Sequence, residues 1–282
     1  MRAGMRARMR LLITGGSSYL GCHLVPLAVA QGHIVCYTYF SQPGPDGADG
    51  RQLDLRDETA VRALLQEWQP EAIIHTAGSN RSPDMTAVIG QSAEYLTRYG
   101  AGCRLVHLSS DVVFDGRHGP YRETDPVSPI HRYGEAKVAA EAIVAQHPNQ
   151  VTVRTSLIYG LQIMDRSTEW ISQALQAKEP VTLFTNQLRN PIWADSLSLA
   201  CLELAEHTYR GILHVAGEQN MTRAEFGLKL LDWWGIQERN SLHTGPSGPE
   251  WPLDCRLDIG LATNLLQTPL PGFDAVVQRQ RS

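Results

Sequence analysis

Lysine is the scarcest charged residue in this 282-residue chain: Lys137, Lys178 and Lys229 stand alone, and the remaining cations are arginine. Cysteine is sparse and odd in number, as Cys22, Cys36, Cys103, Cys201 and Cys255, with no Cys-x-x-Cys and no histidine pair at zinc spacing. This excludes a disulfide framework and a zinc site, and predicts buried free thiols in a reducing cytoplasm. No metal is expected. Long apolar runs are missing as well: Leu11-Leu12-Ile13 stops at Thr14-Gly15-Gly16, too short for a signal h-region or a membrane span. The arginine-rich residues before it, 1–8, read as a disordered tail or an early start site. Repeats and low-complexity tracts are absent. A net charge of -4 gives no broad electrostatic reason to bind nucleic acid or an anionic membrane, so an anionic ligand has to be held locally.

What is present is an ordinary globular composition, 43% hydrophobic and 19% charged, on a chain long enough to bury a large core. Short apolar runs alternate with amphipathic stretches. Residues 10–14, 34–39, 72–76, 104–109 and 151–155 read as strands. Residues 19–31, 58–68, 85–99 and 133–146 read as the helices between them, and a short third strand precedes Asp54. This rhythm of strand and helix, with near-continuous apolar strands, predicts an α/β fold built on a doubly wound parallel sheet. After Gly160 the rhythm loosens. Helices are expected over 169–177, 195–206 and 223–234, extended runs over 181–184 and 212–215, and a loop over 241–254. The expected organisation is a Rossmann domain of residues 1–157 with 190–217, and a smaller substrate-binding lobe of residues 158–189 with 218–282.

The first strand runs into Thr14-Gly15-Gly16-Ser17-Ser18-Tyr19-Leu20-Gly21, which opens a helix. Glycines permit a tight turn and close backbone approach, and the helix start presents N–H groups to a pyrophosphate. Gly15, Ser17, Ser18, Tyr19 and Leu20 are therefore candidate cofactor residues. Ser18 stands where a middle glycine is expected; its Cβ narrows the approach while its hydroxyl offers a compensating donor. The end of the second strand reads Thr38-Tyr39-Phe40-Ser41, with no carboxylate for a ribose 2′-hydroxyl, and so favours NADP over NAD at Tyr39 and Ser41. Asp54 and Leu55 follow the third strand, where Asp54 is placed to accept from an adenine amino group or to cap the next helix.

Tyr133 and Lys137 form Tyr-x-x-x-Lys, a spacing that puts both side chains on one helix face. With nine tyrosines and three lysines, roughly 0.1 such pairs are expected by chance. Ser110 ends the 104–109 run, and ligands in open α/β sheets gather outside the carboxyl ends of strands. These three groups suggest carbonyl reduction: Tyr133 gives the proton and Ser110 steadies the carbonyl oxygen. Bringing a phenol from a pKa near 10 to 7 asks for about 4 kcal/mol; one ammonium at about 5 Å and an effective dielectric of about 20 offers about 3 kcal/mol. On this reading Lys137 lowers the Tyr133 pKa. His75 and His107 are expected to be hydrogen-bonded structural histidines, and His131 to lie near substrate.

With these residues assembled, the chain resembles the extended short-chain dehydrogenases/reductases, and most closely the dTDP-4-dehydrorhamnose reductase family. The likeness is carried by Ser109-Ser110-Asp111-Val112-Val113-Phe114-Asp115-Gly116, by Gly119 to Pro126, by Tyr133 to Lys137, and by Arg154 to Gly160. Arg189-Asn190-Pro191-Ile192-Trp193 with Asp195, and His214-Val215-Ala216-Gly217, complete it. The resemblance implies a nicotinamide cofactor, a nucleotide-linked 4-keto-6-deoxy sugar as substrate, and a homodimer as one allowed state. It implies catalysis by Ser110, Tyr133 and Lys137, cofactor contacts from Thr76, Ala77, Gly78 and Thr155, and substrate contacts from Asp111, Val112, Leu157, Arg189, Asn190 and Trp193. Asn80 and Arg81, in the loop after the fourth strand, are read as binding a polar or anionic substrate.

The family often carries Trp where this chain has Leu157 and Tyr where it has Val112, so an aromatic platform for the sugar is missing from those positions. Two other functions fit the same fold. One is a nucleotide-sugar epimerase or dehydratase, for which Asp111 is the one obvious additional acid/base. The other is a non-catalytic cofactor-binding subunit resembling the regulatory subunit of methionine adenosyltransferase, suggested by the Arg-Ser-Pro-Asp loop and Gln219-Asn220-Met221-Thr222.

Overall fold

The structure, a computed structural model, describes residues 8–78 and 83–281. The apolar run at the start forms β1 (Arg10–Thr14), followed by α1 (Tyr19–Ala30), β2 (Ile34–Tyr39), β3 (Asp49–Gln52) and α2 (Glu58–Trp68). Next come β4 (Ala72–His75), α3 (Met85–Tyr99) and β5 (Arg104–Ser110), and after a 3-10 turn at Asp111–Val113, α4 (Arg132–Val144) and β6 (Gln150–Thr155). The later chain is more finely divided: β7 (Ile158–Tyr159), α5 (Arg166–Gln176), β8 (Val181–Phe184), β9 (Leu188–Arg189), β10 (Ile192–Trp193), α6 (Ala194–Glu206) and β11 (Gly211–His214). It ends with β12 (Met221–Thr222), α7 (Arg223–Trp233), β13 (Leu242–Gly245), α8 (Gly260–Leu265) and α9 (Phe273–Arg281).

Seven strands form the central parallel sheet in the order β11-β6-β5-β4-β1-β2-β3. The α/β Rossmann fold expected from the apolar strands is therefore the observed one. β1, β4 and β6 carry no exposed residue, as strands covered on both faces require. Strand order reverses between β1 and β4, which pair in parallel from Leu11–Ala72 to Thr14–His75. This is the switch point where ligands of open α/β sheets bind, beyond the carboxyl ends of the strands.

The chain divides into two compact units. The first comprises residues 1–109, 135–153 and 198–212; the second comprises 110–134, 154–197 and 213–282. In the second unit, Tyr159, Phe226 and Phe273 meet edge-on or tilted, with centroids 4.9 to 5.8 Å apart, the spacing favoured by aromatic quadrupoles. Phe114 stacks on Tyr121 at 4.1 Å, with the Arg154 guanidinium 5.1 Å from the Phe114 ring. The Tyr121 hydroxyl donates to Asp115 and accepts from the Arg117 and His118 amides. Much of the Phe114 to Tyr121 signature is therefore loop scaffolding.

The segment expected to be loop over 241–254 contains β13, which pairs in parallel with β8 from Leu242–Val181 to Gly245–Phe184. Its exposed polar residues hid a two-stranded edge. Cys36, Cys201 and Cys255 are buried free thiols, and burial pushes each up to about 12. No helix among the described residues is long and apolar enough to cross a membrane, and among them no cluster fit to hold a metal occurs.

Candidate active site

In the first unit the glycine turn leaves β1 and closes on β4. Gly15 has φ +73°, and a Cβ there would stand 3.0 Å from the Ala77 backbone. A Cβ on Gly21 would lie 2.4 Å from the Gly15 carbonyl oxygen, so α1 can start this close to the strand end only with glycine. Ser18 is the N-cap of α1, its hydroxyl accepting from the Gly21 amide at 3.1 Å. Its hydroxyl is thus committed to the helix start, with a second contact to Thr76 Oγ1 at 3.4 Å. No acidic residue occupies the first turn of α1, and the amides of Ser17 and Leu20 bond nothing among the described residues. Tyr19 begins the helix against His23, with centroids 5.2 Å apart. Leu20 and Leu55 are core side chains, so only their backbone can face a ligand.

At the end of β2 the structure supplies what the sequence did not reveal. Phe40 is 62% exposed, and the Arg56 guanidinium lies 5.9 Å from its ring, beside Tyr39 and Ser41 in sequence. Arg56 also grips Asp54, at 2.7 Å, and Asp84, at 2.7 Å, which holds the Asp54 carboxyl below its usual range. Asp54 therefore already has a cation as partner, and the cap of α2 is Asp57, which accepts from the Ala60 amide.

Helix α4 carries Tyr133 in its first turn and Lys137 one turn later. Lys137 is buried, and its Nζ donates to the Leu108 carbonyl at 2.9 Å. Gly78, with φ +131°, leaves room for it: a Cβ there would come within 3.3 Å of Nζ. Burial lowers Lys137 to about 8, opposed by the Glu141 carboxylate one further turn along. Glu141 is itself buried and accepts from the Ser109 hydroxyl at 2.5 Å. Thr76, Ala77 and Gly78 thus line a surface shared by the glycine turn and Lys137.

In the second unit Ser110 caps the 3-10 turn, and its hydroxyl donates to Asp111 at 3.1 Å. Gly134 brings the start of α4 onto that turn, because a Cβ there would sit 2.3 Å from the Val112 carbonyl oxygen. The start of α4, where Tyr133 stands, is thus packed onto the 3-10 turn. The Tyr133 phenol is pushed up to about 12 by burial and then by the Asp111 charge. This is opposite to the direction expected from the Tyr-x-x-x-Lys spacing, because desolvation of a phenolate is a property of the fold that spacing does not reveal.

The residues read as facing substrate turn mostly to protein groups. Asp111 is buried, accepts from Ser156 at 2.8 Å and pairs with Arg189 at 3.3 Å. Arg189 is buried and also donates to the Leu188, Pro252 and Leu253 carbonyls. Asn190 bonds both backbone groups of Leu257, at 3.0 and 3.1 Å. Arg189 and Asn190 thus clamp the 252–257 segment. Leu157 and Trp193 pack against the Tyr159–Phe226–Phe273 core, and Val112 stays in the 3-10 turn. Thr155 Oγ1 is buried and finds no hydrogen-bond partner among the described residues. Asn80 and Arg81 lie outside the described residues.

Of the histidines, His75 is hydrogen-bonded to Thr14 and Ser92 as expected. His107 is buried against it at 5.1 Å, and neither ring nitrogen has a partner among the described residues. His131 meets Trp251, with centroids 5.0 Å apart, a neighbour that sequence separation concealed.

The family model of the RmlD substrate binding domain matches residues 9–247. A probable low-salt glycan biosynthesis reductase, Agl14, of Haloferax volcanii is 31% identical over 240 residues, covering 79% of this chain and 80% of that protein. The methionine adenosyltransferase 2 subunit beta of Xenopus laevis is 31% identical over 245 residues, covering 80% and 72%. Among solved structures, a hypothetical dTDP-4-dehydrorhamnose reductase from Sulfolobus tokodaii superposes with a TM-score of 0.80 at 29% identity, covering 94% of this chain and 98% of that one. A Bacillus anthracis dTDP-4-dehydrorhamnose reductase in complex with NADP shares the fold, with a TM-score of 0.77 at 20% identity over 97% of this chain and 98% of that one. With the greater part of its length matched by the family model, the chain belongs to the RmlD substrate-binding-domain family.

Proposed function

We propose that this chain is an NAD(P)H-dependent reductase of a carbonyl group, its substrate a nucleotide-linked 4-keto-6-deoxy sugar and its preferred cofactor NADPH. The observation that carries the reading is the contact of Gly134 with the Val112 carbonyl. It supports the reading by holding the start of α4, which carries Tyr133 and, one turn later, Lys137, against the 3-10 turn that follows Ser110. The glycine turn fits a pyrophosphate, since two amides at the start of α1 lack partners among the described residues and no carboxylate opposes an anion in its first turn. Gly15, Ser17 and Leu20 would hold the cofactor there. When bound, its reduced nicotinamide supplies the hydride.

The chain's own groups manage the oxygen and its proton. Ser110 donates to the carbonyl oxygen, exchanging its bond to Asp111 for one to the developing charge. A Tyr133 phenol held up to about 12 stays protonated at neutral pH, as a general acid must. The phenolate left after transfer is stabilised by Lys137, which remains charged at pH 7 with its pKa at about 8. NADPH preference is supported by the missing carboxylate after β2 and by Arg56 near Phe40, a cation that a 2′-phosphate would share with Asp54 and Asp84.

The test is twofold. Purified protein should quench or blue-shift NADPH fluorescence, and should oxidise NADPH when given a panel of 4-keto nucleotide sugars. Binding without oxidation across the panel would support a cofactor-binding subunit instead.

A further inference from the structure

We propose that Trp251 and His131 form the platform on which the hexose ring of the substrate stacks; this rests on the reductase reading and names its sugar subsite. Trp251 is 45% exposed, and its ring is inclined at 55° to that of His131 with centroids 5.0 Å apart. Planes so inclined converge on one side and open on the other. His131 Nε2 is buried with no hydrogen-bond partner among the described residues, an unmet hydrogen-bonding group at the platform's edge.

The mount is rigid. Pro252 and Leu253, which follow Trp251, give their carbonyls to Arg189 at 2.9 and 3.1 Å. The Leu188 amide donates to Leu253 at 2.6 Å, and the Asp254 amide to Gly116 at 2.8 Å. Arg189 in turn pairs with Asp111, which accepts from Ser110. The loop bearing the tryptophan and the segment bearing the carbonyl-binding hydroxyl are therefore held by one guanidinium. From the other side, His131 is two residues before Tyr133, a reach of roughly 7 Å along an extended backbone. His131 thus ties the platform to the start of α4, the helix that carries the phenol.

A pyranose is the ligand that fits both neighbours. Its C–H face and 6-deoxy methyl group suit an aromatic surface, and its hydroxyls suit an imidazole. Such a platform takes the place of aromatics at Val112, which is aliphatic, and Leu157, which is turned into the core.

The experiment measures binding of dTDP-rhamnose and of dTDP by calorimetry, for the wild type and for Trp251→Ala and Trp251→Phe, with circular dichroism verifying each fold. Trp251→Ala should weaken dTDP-rhamnose about tenfold or more while leaving dTDP and NADPH binding unchanged, and Trp251→Phe should retain most of the affinity. Equal weakening of dTDP assigns the platform to the base and overturns the proposal, as does unchanged binding of both, or a wild type that binds neither. Because no turnover is needed, a wild type that fails to oxidise NADPH yet shows the selective loss refutes the reductase reading and spares the platform.

Discussion

Replacing Lys137 with methionine should abolish turnover while relieving the fold of a buried charge. The ammonium lies under almost complete burial, and its pKa falls from 10.5 to about 8. At 1.36 kcal/mol per unit the difference is about 3 kcal/mol. Between pH 8 and 10.5 the unfolded chain binds a proton that the folded chain does not, so the lysine's contribution to stability rises with pH through that window. At pH 7 the folded state carries the full penalty. Methionine removes it but leaves the Leu108 carbonyl without the ammonium, a loss of about 1–3 kcal/mol.

The absolute change at pH 7 is therefore small, and the diagnostic quantity is how the difference between the two proteins varies with pH. Urea unfolding at pH 7, 8.5 and 10 should show the mutant losing about 2.5 kcal/mol relative to wild type as pH rises. Cys36, Cys201 and Cys255, pushed up to about 12, titrate alike in both proteins and cancel. Glu141→Gln, which removes the group that raises Lys137, should move the window below pH 8. A difference independent of pH would refute the assignment of Lys137 as a buried, strained cation.

Four further outcomes are expected. Gly134→Ala places a methyl 2.3 Å from the Val112 carbonyl oxygen; it should lower kcat and stability by about 1–3 kcal/mol while NADPH titrations stay normal. Arg189→Met strands the buried Asp111 carboxylate and should lower stability by about 3–5 kcal/mol in urea melts, a loss too large for a surface ligand contact. Arg56→Ser should cut the ratio of kcat/KM for NADPH over NADH about tenfold, or about 1.4 kcal/mol; an unchanged ratio would remove Arg56 from cofactor choice. Acid should unfold the protein early: His75, lowered to about 3, and His214, lowered to about 4, stay neutral when folded but bind protons when unfolded. Stability is then lost as pH falls from 6.5 toward these values, and thermal melts between pH 7 and 4 should record it.

The parallel sheet was legible because buried strands read as short continuous apolar runs, and the glycine turn because only glycine tolerates its backbone. That Tyr133 and Lys137 share one helix was legible from the apolar pattern alone. What escaped were relations between distant segments. The Asn190 clamp on Leu257 spans 67 residues, and Arg189 reaches Pro252 across 63, tertiary ties that the motif itself does not announce. The direction of the Tyr133 shift escaped for a different reason. Spacing reports a neighbouring charge, whereas burial, which dominates here, depends on the completed fold. Trp251 lay in a stretch read as featureless loop, and nothing in its local pattern places it against His131.

The most direct measurement follows the hydride itself. Incubation with NADPH deuterated at the transferring position and a 4-keto nucleotide sugar should place deuterium on the new carbinol carbon, visible by NMR. The same mixture with Tyr133→Phe should yield little labelled product although the cofactor still binds. Label that stays on the cofactor, with wild-type binding intact and the full sugar panel supplied, would contradict the account.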